Sequence, residues 1–432
     1  MNQLQLRIFA LSTILWVSIW FAIAGNPYLL TRLPINFSES IHYIRTAFPL
    51  MGIFWFILKF SGSRHGITWK LPANTAFWGY YGLLAMAAGL ISPSPWLAFY
   101  WAVMYMLVFA VLKLFMMQHN TLESVMALNQ LNWIVCTLIF IAMLFIARDV
   151  LFHGYGLQAS GRGYERMVSG ESAELISRST GLARLSSIPA ILALVMFLSS
   201  TPSKIKWAWL GVTLGCSVVV YLMQSRGATF SLLGTIVLIT MFMSQKARLY
   251  GLAAVIVGVF VYLWGYVTDD FIYRIFEHVT RGQDVQQLEH LSGRTYIWHL
   301  AWENIVQSPF TGWGFQADRF LIQLEANHVH NTYLYALLSA GFIGAALFTI
   351  GLLMTWWYLA QLIMMRHKIE QKHWTVLVQC GALMAFFTMR GIPEVSGAMF
   401  GVDQLIMVPA MAYIGLLYRQ MKADRMVYNN PV

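Results

Sequence analysis

The sequence predicts an all-α membrane protein that crosses the bilayer many times. Hydrophobic residues make up 58% of its 432 residues, charged residues only 11%, and the mean hydropathy is +0.61. These values lie far outside the range of soluble proteins. Repeated apolar runs are long enough to cross a hydrocarbon core of about 30 Å as helices, and a helix satisfies its own backbone hydrogen bonds there.

Polar turns and charged loops divide the chain into twelve predicted spans. They are residues 8–24, 43–60, 76–92, 96–117, 128–147, 182–200, 206–223, 227–244, 249–267, 332–361, 374–389 and 403–418. The sequence contains no low-complexity linker and no clear internal repeat. We therefore expect one membrane domain over residues 1–432.

The basic residues orient these spans. With the N-terminus in the cytoplasm, 15 of the 28 lysines and arginines fall on the cytoplasmic side, together with only three acidic residues. Membrane proteins concentrate positive charge in this way, so the pI near 9.5 does not indicate a nucleic-acid partner. An even number of spans places both termini in the cytoplasm.

The longest polar stretch, residues 268–331, is predicted to be a loop on the opposite side of the membrane. Within it, residues 295–307 have the aromatic and aliphatic spacing of a helix that lies at the membrane interface. Arg294 stands at the start of this helix, where a guanidinium and a helix N-terminus both attract anions. Gly312-Trp313-Gly314 predicts a turn that permits close backbone approach.

Between lysine and arginine, only arginine is predicted on the side of the membrane that holds this loop. All nine lysines fall on the cytoplasmic side, whereas the other 13 cations are arginines, whose planar guanidinium pairs with phosphate oxygens. As a set they favour an anion-binding surface. Each is also explained as an interfacial anchor, or as an ion-pair partner of Asp149 or Glu394. Four stand where a span meets the outer water: Arg148, Arg184, Arg226 and Arg390.

Three short motifs in a fixed order carry a family resemblance. Ser225-Arg226-Gly227, the block from Gly293-Arg294 to Gly312-Trp313-Gly314, and His328-Val329-His330-Asn331-Thr332 together resemble the bacterial O-antigen ligase superfamily. That superfamily also contains O-antigen polymerases and protein O-oligosaccharyltransferases. The resemblance covers nearly the whole chain in span count and loop placement, and it is greatest to the ligases.

The resemblance implies a GT-C-type glycosyltransferase of the inner membrane, with residues 268–331 as a periplasmic loop. Its donor would be O-antigen glycan on undecaprenyl diphosphate, and its acceptor a sugar hydroxyl of lipid A–core, with inversion at the anomeric carbon. His330 matches the family's essential histidine, and Arg226 and Arg294 match its phosphate-facing arginines. Arg184 and Arg148 are weaker matches. The family is regarded as metal-independent, and no cofactor is implied.

The residue chemistry is compatible with this reaction. A neutral histidine such as His330 can take the proton of an attacking hydroxyl near neutral pH, and fixed arginines stabilise a leaving diphosphate. Asn331 would orient the imidazole or bind a sugar. His328 would share a face with His330 on an extended segment and diverge from it on a helix. The alternative for His330 is a structural histidine at the interface.

Other functions and a metal site are weighed against this hypothesis. His328, His330, Asp269 and Asp270 include metal-ligand types, but no compact ligand motif is present, and the outer arginines already supply positive charge. A polymerase or a protein O-oligosaccharyltransferase would use the same donor. A transporter is less favoured, because the ionisable residues collect at the outer edge and not in broken helices at the midplane.

Overall fold

The computed structural model describes residues 3–24, 71–117, 120–146, 179–199, 204–223, 225–243, 294–322 and 328–429. Every regular element within these ranges is helical. The α-helices are α1 (Gln3–Ala24), α2 (Ala73–Ala88), α3 (Pro95–Met116), α4 (Thr121–Ile146), α5 (Ser179–Ser199), α6 (Lys204–Leu222), α7 (Arg226–Met243), α8 (Arg294–Gln307), α9 (Asp318–Leu321), α10 (Thr332–Met364), α11 (Gln371–Arg390) and α12 (Val402–Asn429).

These helices support the membrane part of the fold prediction. A helix overlaps every predicted span except 43–60 and 249–267, which lie outside the described residues. Within the described part of the chain, five helices are long and apolar enough to cross a membrane, namely α3, α4, α5, α6 and α10. The total of twelve spans and the GT-C type stay predictions.

The chain divides into two compact units. The first comprises Met1–Pro27, Leu33–Val135 and Tyr296–Val432, and the second comprises Tyr28–Arg32 and Cys136–Thr295. The first therefore contains α1 to α3, α9 to α12 and most of α8, while the second contains α5, α6 and α7. The expectation of one membrane domain stays a prediction.

The core of the first unit is built on the long contact between α2 and α10. Trp78 stacks on Phe348 at 4.4 Å between ring centroids, and its indole N–H donates to the Phe348 carbonyl at 2.9 Å. Asn74 Nδ2 donates to Thr355 Oγ1 at 3.0 Å and to the Met411 carbonyl at 2.8 Å. Because buried polar groups are expensive unless hydrogen-bonded, these bonds fix how α2, α10 and α12 pack.

The second unit is organised around the hairpin of α5 and α6. Ser186 in α5 donates its hydroxyl to the Cys216 carbonyl of α6 at 2.8 Å, and both residues are buried. The third helix, α7, packs against α5. Its first residue is Arg226, so this unit carries one of the predicted phosphate-binding arginines at a helix N-terminus.

A kink in α10 receives the Gly-Trp-Gly loop. Gly341 has a φ of +61°, which interrupts the helical hydrogen bonds. The carbonyls of Leu338 and Ser339 instead accept from the backbone N–H groups of Trp313 and Gly314, at 2.8 and 2.9 Å. Gly312 approaches so closely that a Cβ there would lie 2.5 Å from the Ala340 nitrogen. The predicted close backbone approach is confirmed.

Candidate functional site

The His-Val-His-Asn segment ends at the N-terminus of α10, where Asn331 is the N-cap. Its side-chain oxygen accepts from the backbone N–H groups of Tyr333 and Leu334, each at 3.0 Å. Its amide nitrogen donates to the Ile392 carbonyl, also at 3.0 Å. Such a cap satisfies helix N–H groups that otherwise have no partner. Asn331 therefore holds the segment in place, and its predicted contact with substrate stays untested.

The loop between α11 and α12 is fastened to the same helix N-terminus. Thr332 N–H donates to the Gly391 carbonyl at 2.9 Å, and Thr332 Oγ1 donates to the Glu394 carbonyl at 3.0 Å. The same hydroxyl accepts from Ser396 N–H at 2.8 Å. A Cβ at Gly391 would lie 2.8 Å from Thr332 Oγ1. Thr332, two residues after the predicted base, thus fastens the loop that carries Glu394 to the N-terminus of α10.

His330 forms a pair with Glu394. Its Nδ1 lies 3.1 Å from Glu394 Oε2, and the two side chains are 22% and 17% exposed. A neutral imidazole that donates its Nδ1 proton to a carboxylate leaves Nε2 with the lone pair. None of the described residues is bonded to that Nε2. The pair can therefore accept a proton at Nε2, and the carboxylate would stabilise the imidazolium that results.

His328 forms a second pair, with Asp318. Its Nδ1 lies 3.1 Å from Asp318 Oδ2, and the same oxygen accepts from Val329 N–H at 3.4 Å. Asp318 is completely buried, whereas His328 is partly exposed. The segment is not helical, and the centroids of the two imidazole rings lie 6.2 Å apart. Two carboxylate-paired histidines are therefore neighbours at one helix N-terminus.

Arg390 is engaged inside the protein. Its guanidinium donates to Asp403 Oδ2 at 2.7 Å and to Ser396 Oγ at 3.3 Å, and the residue is only 5% exposed. The acid bonded to Arg390 is Asp403, while Glu394 Oε2 lies beside His330; the pairing of Arg390 with Glu394 that the sequence offered as an alternative stays untested. This geometry supports a role in holding the loop after α11. The predicted contact of Arg390 with diphosphate stays untested.

The other predicted arginines lie in the second unit or outside the described residues. Arg226 is half-buried and stands one position before the predicted span 227–244. Burial lowers the pKa of its guanidinium, and the positive charge of Arg294 lowers it further, so the two cations lie within electrostatic reach. Arg184 is partly buried in α5. Arg148 lies outside the described residues.

No metal centre is assembled by the described part of the chain. Among the described residues, no three or more histidine, cysteine, aspartate or glutamate side chains lie close enough together to hold a metal ion. Asp269 and Asp270, which the sequence offered as ligand types, lie outside the described residues. Independence from metals stays a prediction.

Sequence reasoning missed two residues of this site. Glu394 was considered only as a partner of Arg390, and Asp318 was not singled out. In the orientation predicted from the sequence, both acids fall on the same side of the membrane as the histidines, and acids are rare in a chain with only 18 of them. Pairing each acid on that side with a nearby predicted histidine would have suggested Asp318, which lies ten residues from His328.

Comparison with known families gives a match to the region that carries these motifs. The family model described as O-antigen ligase matches residues 210–349, which include Arg226, Arg294, His328, His330 and Asn331. Comparison with curated proteins gives no match. The family match agrees with the order of motifs in the sequence and with the all-helical structure around them. Over residues 210–349, the chain is therefore similar to the O-antigen ligase family.

Proposed function

We propose that this protein transfers O-antigen glycan from undecaprenyl diphosphate to a sugar hydroxyl of lipid A–core. The family match supports O-antigen ligase or polymerase-type glycosyl transfer in general. The observation that carries the finer proposal is the His330–Glu394 pair, which presents a proton-accepting nitrogen within the matched family region. We further propose that the protein is a multi-pass inner-membrane enzyme, with both termini cytoplasmic and its site facing the periplasm.

In the proposed reaction His330 is the general base. As the acceptor hydroxyl oxygen bonds to the anomeric carbon, His330 Nε2 takes the hydroxyl proton and the bond from that carbon to the diphosphate oxygen breaks. The electron pair leaves with the diphosphate, and the anomeric carbon is inverted. Glu394 stabilises the imidazolium formed in this step. General base catalysis of this kind is worth about 100- to 10,000-fold in rate.

Arg226 and Arg294 are the proposed holders of the diphosphate. Two guanidinium groups within electrostatic reach of each other repel, and a bound dianion relieves that repulsion. The same cations offset the charge that develops on the leaving diphosphate. Because these arginines neutralise the charge on the diphosphate, we propose that the reaction needs no divalent cation. Arg184 and Arg148 are secondary candidates for the same role.

The test is turnover by the purified full chain in detergent or nanodiscs. Undecaprenyl-diphosphate-linked glycan and lipid A–core are expected to yield joined lipopolysaccharide without nucleotide or ion gradient, and to do so equally in EDTA. Lengthened lipid-linked glycan from donor alone would instead identify a polymerase. Glycan on an acceptor protein would identify an oligosaccharyltransferase. Movement of donor across proteoliposomes with no covalent product would overturn the enzyme assignment.

A further inference from the structure

Val329, the residue between the two histidines, is held by hydrogen bonds on both sides of its backbone. Its N–H donates to Asp318 Oδ2 at 3.4 Å, and its carbonyl accepts from the indole N–H of Trp298 at 2.9 Å. Its side chain is completely buried in an apolar cluster with Ile297, Ala301, Ile305, Ile322 and Leu338. The peptide that leads into His330 is therefore fixed by its surroundings.

Asp318 does more than pair with a histidine. A single oxygen, Oδ2, is bonded both to His328 Nδ1 and to Val329 N–H, so the side chain joins two successive residues. The carboxylate is completely buried, and its other oxygen has no hydrogen-bond partner in the described structure. Burying a carboxylate is costly unless it is fully satisfied. A purely structural role would be filled at lower cost by an apolar side chain.

His330 has a backbone conformation that requires such support. Its φ is +47°, in the left-handed region that residues with a Cβ rarely adopt. Conformations of this kind persist only where the surrounding structure over-determines them. On the C-terminal side of His330, the Asn331 cap fixes the chain. On the N-terminal side, the constraint is the pair of bonds to Val329.

The backbone conformation of His330 decides where its imidazole lies. A change of φ from the left-handed to the ordinary region swings the Cα–Cβ bond and moves the ring away from Glu394. The 3.1 Å separation of Nδ1 from Glu394 Oε2 tolerates little displacement, because hydrogen bonds weaken steeply beyond that range. A base misplaced by about 1 Å can lose about 100-fold in rate.

We propose that Asp318 is a positioning residue for the transfer reaction, which holds His330 in its left-handed conformation through Val329 and His328. The inference rests on the proposed function of His330 as the base. Asp318 touches neither substrate nor reacting atoms in this role. Its effect on the reaction passes entirely through the geometry of the next histidine.

The first test compares Asp318→Leu with Asp318→Asn in the full-length enzyme. Leucine keeps the approximate volume but removes the acceptor, and kcat is expected to fall by about 10- to 100-fold with the KM for donor unchanged. Asparagine keeps an acceptor oxygen and is expected to restore most of kcat. The matched control is Glu303→Leu, which removes another histidine-paired acid, exposed on α8, and is expected to leave kcat within about twofold.

A double-variant cycle separates positioning from general loss of structure. If Asp318 acts through His330, then Asp318→Leu lowers activity no further in a His330→Ala background. The inference would be overturned if the losses from Asp318→Leu and His330→Ala multiplied in the double variant, or if a folded Asp318→Leu enzyme kept the wild-type kcat. If Asp318→Leu does not fold, Trp298→Phe removes the other bond to Val329 and is expected to lower kcat by about 3- to 10-fold. An unchanged kcat in Trp298→Phe would then overturn it.

The same measurements distinguish this inference from the proposed function. A fully active His330→Ala enzyme would remove His330 as the base, whatever Asp318 does. An inactive His330→Ala enzyme beside a fully active Asp318→Leu enzyme would remove only the positioning role of Asp318.

Discussion

Two histidine–carboxylate pairs lie at opposite ends of α11, and they differ in what the imidazole has left to offer. Near the Arg390 end, His330 is bonded to Glu394 through Nδ1. At the other end, His373 Nε2 lies 3.5 Å from Glu123 Oε1, and His373 Nδ1 lies 2.9 Å from the Tyr413 hydroxyl. The exposed fractions are similar, 22% for His330 and 15% for His373. Exposure therefore does not separate them.

The difference lies in the second ring nitrogen. Both nitrogens of His373 face protein groups and tie α11 to α4 and α12. A base needs a lone pair that faces the substrate. In His330 only Nδ1 is bonded to a described residue, so Nε2 keeps its lone pair for that role. The same pair of residue types thus serves packing at one end of the helix and is suited to proton transfer at the other.

The largest expected effect is the loss of the base. His330→Ala should lower kcat by about 100- to 10,000-fold, because no other group would take the acceptor proton. His373→Ala should leave kcat within about threefold while lowering the thermal midpoint in detergent. Initial rates of glycan transfer, normalised to folded protein, give kcat for both variants, and thermal unfolding in detergent gives the midpoint. Equal losses in the two variants would contradict the contrast between them.

The ion pairs at the two ends of α11 sharpen the comparison. Arg390 is 5% exposed and bonded to Asp403, whereas Lys372 is 57% exposed and bonded to Glu123. Removing one partner of a buried pair leaves an uncompensated charge, so Arg390→Met should lower the free energy of unfolding by about 3–5 kcal/mol. Lys372→Met should change it by about 0–1 kcal/mol. Thermal unfolding of the two variants in the same detergent checks the difference.

A double variant then tests the predicted phosphate contact of Arg390. Replacing both Arg390 and Asp403 with apolar residues, as Arg390→Met with Asp403→Leu, should recover most of the lost stability. If Arg390 only holds the loop, the folded double variant keeps its donor KM. A raised KM in a stable double variant would support the contact with diphosphate that the sequence predicts.

The fold was largely predictable because membrane crossing imposes a simple rule on sequence. Apolar runs such as 332–361 and 96–117 coincide with α10 and α3 to within a few residues, since an apolar run of that length satisfies its backbone hydrogen bonds within one helix. The kink in α10 was not predicted. Gly341 alone does not break a membrane helix, and the bonds that allow the break come from Trp313 and Gly314, more than twenty residues earlier.

The candidate site was predictable by residue type but not by pairing. His330 and Arg226 stand out because ionisable residues are rare and costly in such a chain. Their partners depend on folding over long separations. Glu394 is 64 residues from His330, and nothing local indicates that its carboxylate faces the imidazole. The left-handed backbone of His330 is equally invisible in sequence, since nothing in its residue type demands it.

Of the two losses of activity predicted for the His330–Glu394 pair, the smaller one is the more specific test of the comparison. Glu394→Gln keeps the size of the side chain but removes the charge that stabilises the imidazolium, so kcat should fall by about 10- to 100-fold with the fold intact. Glu123→Gln makes the same change at the other end of α11, where it weakens contacts to His373 and Lys372, and kcat should stay within about twofold. Measured rates settle the point. If Glu394→Gln were as active as Glu123→Gln, the carboxylate beside His330 would serve only to fasten the loop, and the imidazole would act without it.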